Sequence, residues 1–270
     1  DTGQRMTETT LVRLYSMTKC VIGAAVMQLA DRGLLRLDDR LSDHLPAFGR
    51  LRVLPEAVDG LPAWGQLELP RTPVRIRHLL THTSGIACGL ARGLDGPWRR
   101  GKRERAWAEV YERLVERVDS GEIPDLATWA EELAKLPLQS HPGTDYSYGY
   151  GYDVLGRLIE VKSGLGLAAY LRRHLFEPLG MHDTAFDLEG LGGEASRPPP
   201  AERLATLYRC TKSARFGGDG RLLRPVRVDP PTPGAPSRWA RCRVPAGGGA
   251  VSSLEGGLLS TLRDYSAFLL

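Results

Sequence analysis

Paired cysteines are missing from this sequence. Its four cysteines, Cys20, Cys88, Cys210 and Cys242, stand far apart and show none of the short spacings that a thiolate zinc site requires. A chain of 270 residues with 42% apolar content buries a core without disulfides. The four are therefore expected as buried or half-buried free thiols, which favours a reducing, cytoplasmic setting. Also missing is an apolar run long enough to span a bilayer. The longest, around Val21 to Ala30, is too short, so no membrane span is expected. There is no Gly-x-Ser-x-Gly elbow to support an α/β-hydrolase fold. No glycine loop leads into a Lys-Ser/Thr ending that would cradle phosphates, and Gly247-Gly248-Gly249 reads as a flexible turn. Neither a start methionine nor a signal-peptide pattern opens the chain, so the natural N-terminus is expected to lie upstream of Asp1.

Excess charge is small and mixed. The net charge is +4 and the pI about 8.9, but acidic and basic residues interleave through most of the chain. The one basic run, Arg99-Arg100-Gly101-Lys102-Arg103, reads as a solvated face, and no nucleic-acid partner is expected. His78 and His82 share a helical spacing, but no glutamate adjoins His78 as the metalloprotease pattern requires. No metal and no cofactor is expected.

What is present is helical periodicity. Ser16 to Gly33 carries Val21, Ile22, Ala25, Val26, Leu29 and Ala30 at helical spacing, with Gly33 as a stop. Val74 to Thr83 reads as an extended entry into a short helix ending at Ser84-Gly85. Glu104 to Val118 and Leu126 to Leu136 read as amphipathic surface helices, the second stopped by Pro137. Tyr152 to Ser163 is a core helix closed by Gly164, Leu167 to Leu175 continues the helical content, and Leu262 to Leu270 is helical again. From Glu189 to about Ala246, Gly, Pro and Arg predict long loops, with order only at Arg203 to Tyr208. No repeat or compositional break divides the chain, which is expected to be one folding unit.

Ser16 and Lys19 stand one helical turn apart at the start of the strongest helix, so their side chains project from one face. A serine hydroxyl needs a neighbour to take its proton, and a lysine amine is such a neighbour once deprotonated. The positive end of the helix helps by disfavouring a second positive charge and favouring an oxyanion beside it. The chain uses arginine far more than lysine, yet lysine occupies this position.

Tyr15-Ser16-Met17-Thr18-Lys19 and Ile76-Arg77-His78-Leu79-Leu80-Thr81-His82-Thr83-Ser84-Gly85 resemble signature segments of the penicillin-recognising, beta-lactamase-related serine hydrolases. That superfamily includes class C beta-lactamases, D-alanyl-D-alanine carboxypeptidases and family VIII carboxylesterases. The resemblance continues through Pro142-Gly143-Thr144, Asp153 to Glu160, Phe176-Glu177-Pro178-Leu179-Gly180-Met181 and Gly256-Gly257-Leu258-Leu259-Ser260-Thr261, covering nearly the whole chain. It implies an α/β (α+β) fold of beta-lactamase/transpeptidase type: an antiparallel sheet flanked by helices, plus an all-helical lobe at roughly residues 34–175 of a single domain over 1–270. It also implies a catalytic tyrosine shortly after Pro-Gly-Thr, which falls on Tyr148. Tyr146 and Tyr150 lie close by, and these two with Tyr152 read as core packing.

Two departures shape the functional expectation. The family's asparagine position is held by Tyr150, which tilts the resemblance from lactam or peptide turnover toward the esterase branch. The third motif of the family and the first strands of its sheet would lie beyond Leu270 and before Asp1, so the chain is expected to be incomplete at both ends. The resemblance thus implies a serine hydrolase acting through an acyl-enzyme on Ser16, with Lys19 and Tyr148 handling protons. A small-molecule ester of a small or medium acyl group is the expected substrate. The alternatives are a beta-lactam or D-amino-acid peptide hydrolase, and a non-catalytic scaffold that binds a partner.

Overall fold

The computed structural model describes residues 5–55, 64–87, 110–111, 113–118, 120–191, 199–206, 208–210, 225–227 and 257–270. The basic run at 99–103, the glycine turn at 247–249, Cys88, Cys242 and the expected helical start at 104–109 lie outside the described residues. Nucleation of the strongest helix differs from expectation. Tyr15–Met17 form a 3-10 turn that opens on a left-handed φ of 47° at Tyr15, and α1 (Thr18–Asp31) follows directly. Gly33, with φ 69°, ends it as its sequence position predicts.

The helices α2 (Ile76–Leu80), α3 (residues 113–118), α4 (Leu126–Leu133) and α5 (Gly151–Ser163) succeed one another along the chain. One begins and another ends where local chemistry dictates. Asp125 accepts a hydrogen bond from the Thr128 N–H at 2.7 Å to cap α4, and Gly164 closes α5 with φ 71°. The stretch expected as one helix from Leu167 divides into α6 (Leu167–Leu171) and a π turn over Arg172–Phe176. That wider turn accompanies burial of both Leu175 and Phe176.

In the core, α1 packs on α5, and α5 in turn on α2, α4 and α6. Val21, Ile22, Ala25, Val26 and Leu29 of α1 face the same cluster as Val154, Leu155, Leu158 and Ile159 of α5. Those are the periodic positions of the sequence. Burial of apolar area at about 25 cal/mol per Å² is what fixes this face inward.

Sheet content is small among the described residues. β1 (Val12–Arg13) pairs antiparallel with β4 (Leu259–Ser260), and β2 (Tyr208–Cys210) with β3 (Pro225–Arg227). The second pair and α7 (Pro200–Arg203) lie in the stretch expected to be loops, so regular structure extends outside the Arg203 to Tyr208 segment on both sides. The last helix, α8 (Leu262–Leu269), is capped by Thr261, which accepts from the Asp264 N–H at 3.2 Å.

A buried polar cluster ties these ends together. Arg203 donates to both carboxylate oxygens of Asp183, at 2.6 and 3.0 Å, and to the Thr9 carbonyl at 3.2 Å. Asp264 accepts from the Asp183 N–H at 2.7 Å and the Thr184 hydroxyl at 2.9 Å, while Thr184 also bonds Ser260 at 2.8 Å. Charges taken out of water need such pairing, and it comes from the two terminal nitrogens of Arg203, while its Nε has no hydrogen-bond partner among the described residues. Among the described residues no helix is long and apolar enough to cross a membrane.

Candidate active site

Ser16 sits in the 3-10 turn two residues ahead of the first residue of α1, and hydrogen bonds to Leu258, next to β4, lock that turn. The Leu14 N–H donates to the Leu258 carbonyl at 2.8 Å, and the buried Thr18 hydroxyl accepts from the Leu258 N–H at 2.9 Å. The Ser16 hydroxyl is left exposed at the surface. Lys19, one turn on, is buried with 7% of its surface exposed, and its Nζ donates to Ser16 Oγ at 3.3 Å. The spacing of the two residues predicts that their side chains meet, as they do here.

Tyr148 arrives from a different part of the chain. Its Oη is 2.6 Å from Ser16 Oγ, and Lys19 Nζ lies 4.8 Å from the centre of its ring. All three residues singled out in the sequence therefore meet at one point. The segment bearing Tyr148 is pinned to the loop after α2: the Ser147 N–H donates to the His82 carbonyl at 2.7 Å and the Gly143 N–H to the Thr83 carbonyl at 2.7 Å. Gly149 makes this approach possible. A β-carbon there would fall 2.5 Å from the carbonyl oxygens of Ile86 and Ala87, closer than any side chain tolerates.

The neighbouring tyrosines divide. Tyr150 is core, buried edge-on against Trp129 with ring centres 5.1 Å apart. Tyr146, expected as core, is instead 53% exposed, because the chain at 143–146 runs along the surface. Tyr152 is half-buried, and its hydroxyl donates to the Leu80 carbonyl at 3.0 Å. Cys20, expected as a buried or half-buried thiol, is exposed on α1. The Tyr265 hydroxyl donates to the Met17 carbonyl at 3.3 Å, and its pKa is pushed up to about 12 by burial first and by the Cys20 thiol second.

Sequence reasoning missed the part His82 plays. It left α2 with a left-handed φ of 55°, so it no longer shares a helical face with His78. His78 instead accepts from the Arg75 N–H at 3.2 Å, capping α2. The His82 ring packs on Tyr148 and Tyr152, with centres 4.7 and 5.2 Å apart, and meets Tyr146 edge-on at 5.8 Å. Burial, and then the charge on Lys19, lower its pKa to about 4, so the ring is neutral at pH 7. Among the described non-glycine residues, positive φ occurs only at Tyr15 and His82, one on each side of the site. No sequence signal marks either.

Comparison with known proteins bears on the fold and the family. A family model described as Beta-lactamase matches residues 1–270. Protein Rv1367c of Mycobacterium tuberculosis is 31% identical over 269 residues, covering 100% of this chain and 55% of its own length. Esterase EstB of Burkholderia gladioli is 32% identical over 282 residues, covering 99% of this chain and 60% of its own. The solved structure of Simvastatin Synthase (LovD) from Aspergillus terreus superposes with a TM-score of 0.65 at 25% identity, covering 100% of this chain and 56% of that one. The chain thus spans just over half the length of these relatives. Order of segments, fold and family model agree: the chain belongs to the beta-lactamase family.

Proposed function

We propose that the chain carries the nucleophile of a serine esterase that works through an acyl-enzyme on Ser16. The observation that carries this is the convergence of Ser16 Oγ on Tyr148 Oη at 2.6 Å and Lys19 Nζ at 3.3 Å. Ser16 Oγ attacks the ester carbonyl carbon while its proton passes to the Tyr148–Lys19 pair. The carbonyl C–O bond to the alcohol then breaks, and the departing alkoxide takes that proton. Water attacks the acyl carbon next, giving one proton to the same pair. The acid leaves, and Ser16 regains its hydroxyl hydrogen. In this reading the Ser16 N–H, in the 3-10 turn that leads into α1, would hold part of the oxyanion.

Two observations favour an ester over a lactam or peptide. EstB is named an esterase. Tyr150, at the position where the lactam-hydrolysing branch has asparagine, turns into the core against Trp129 and offers the substrate amide no partner. The test is turnover of p-nitrophenyl butyrate by the full-length protein beside turnover of a chromogenic cephalosporin. Ester hydrolysis that disappears in Ser16→Ala is expected. A folded protein that hydrolyses the cephalosporin and not the ester would overturn the assignment, and one that hydrolyses neither would favour a scaffold.

A further inference from the structure

We propose that His82 is a positioning residue, whose ring and main-chain carbonyl together hold the Tyr148 phenol in register with Ser16. The proposal rests on the assignment of Ser16 as nucleophile. Tyr148 lies between Thr144 and α5, where the chain has no helix or strand to fix a side chain. A working constellation needs its groups held to within about 0.5 Å and 10–20°. Something outside that segment must supply the constraint.

His82 supplies it twice. Its carbonyl accepts the Ser147 N–H at 2.7 Å, which fixes the main chain one residue before Tyr148. Its ring lies 4.7 Å from the Tyr148 ring at an interplanar angle of 34°, which limits swing of the phenol about its side-chain torsions. Tyr152 of α5, at 5.2 Å and the same angle, stands against the His82 ring in turn. The left-handed backbone at His82 turns the chain out of α2 toward Tyr148, and a non-glycine residue in that conformation carries a strain that this packing offsets. The groups facing the ring are Lys19 of α1, Tyr146 and Tyr148 of the connecting segment, and Tyr152 of α5. An uncharged ring is the only form of histidine that sits beside the Lys19 ammonium without repulsion.

The test compares His82→Asn and His82→Phe in the full-length protein. Asparagine tolerates left-handed backbone and keeps the carbonyl but removes the ring, whereas phenylalanine keeps a flat ring. For His82→Asn, kcat on p-nitrophenyl butyrate is expected to fall about tenfold to a hundredfold with KM within about twofold in a protein still folded at the assay temperature, since a misplacement near 1 Å has that effect. His82→Phe is expected to restore kcat to within about threefold of wild type. Wild-type kcat in His82→Asn, or no recovery in His82→Phe, overturns the proposal. A crystal structure of His82→Asn decides it independently of turnover. Tyr148 displaced beyond hydrogen-bond reach of Ser16 Oγ supports positioning, and an undisturbed phenol overturns it even if the wild-type protein proves not to be an esterase.

Discussion

Replacing Gly149 by alanine tests whether the contact between the Tyr148 segment and the loop after α2 sets the geometry at Ser16. The added β-carbon would fall 2.5 Å from the carbonyl oxygens of Ile86 and Ala87, where ordinary contact begins at 3.4 Å. Both neighbours are main chain, so no side chain can rotate away. The two segments must part by roughly 1 Å, and overpacking of this kind costs about 1–3 kcal/mol. The upper end applies here, because Ser147 to His82 at 2.7 Å and Tyr150 to Ala87 at 3.4 Å are the hydrogen bonds that must stretch. At a few degrees per kcal/mol for a chain of this size, Tm should drop by about 5–10 °C. Tyr148 adjoins Gly149, so its phenol leaves the 2.6 Å bond to Ser16, and kcat should fall about a hundredfold. Thermal melts and p-nitrophenyl butyrate hydrolysis read the two effects separately. A wild-type Tm would refute the steric reasoning, and a lowered Tm with wild-type kcat would refute its link to Tyr148.

Three further perturbations probe other links. Thr18→Val removes the acceptor of the Leu258 N–H inside the core, and leaving that donor unsatisfied should cost about 1–3 kcal/mol in urea denaturation; no loss would mean that the hydroxyl does not secure the Ser16 turn. Asp183→Ala strands the Arg203 guanidinium, itself 7% exposed, and should cost about 3–5 kcal/mol by the same measurement. A loss under about 1 kcal/mol would contradict a buried pair. His82 titrates at about 4 in the folded protein against 6.5 in the unfolded chain. The unfolded chain therefore takes the proton first: the stability that His82 contributes is complete above about pH 6.5 and is lost as pH falls through that value toward 4. Wild-type stability should fall more steeply over that window than that of His82→Asn, and equal slopes would contradict the burial of the ring.

How far the sequence could be read depended on whether an interaction was local. The buried stripe of α1 and that of α5 were visible because helical periodicity and burial have one cause. The meeting of Ser16 and Lys19 was visible for the same reason, since three residues of helix bring two side chains together. Tyr148 stands 132 positions from Ser16, and only the resemblance to known motifs singled it out from Tyr146 and Tyr150. His82 was invisible as a neighbour of Tyr148, because helical spacing with His78 assumed a helix that ends at Leu80. A left-handed residue after α2 leaves no trace in composition. The Asp183–Arg203 pair is equally silent, since nothing in the residues around either names a partner 20 positions away. The small sheet pair at 208–210 and 225–227 was hidden by its proline-rich and arginine-rich surroundings.

The central claim is that Ser16 is an activated nucleophile, and covalent labelling reads it most directly. The full-length protein, exposed to a fluorophosphonate and mapped by peptide mass spectrometry, should carry one adduct on the peptide containing Ser16. Ser16→Ala should carry none there, and Tyr148→Phe, which loses only the oxygen 2.6 Å from Ser16 Oγ, should label more slowly by about a hundredfold. A folded wild-type protein that takes no label at Ser16, or a Tyr148→Phe variant that labels at the wild-type rate, would contradict the account.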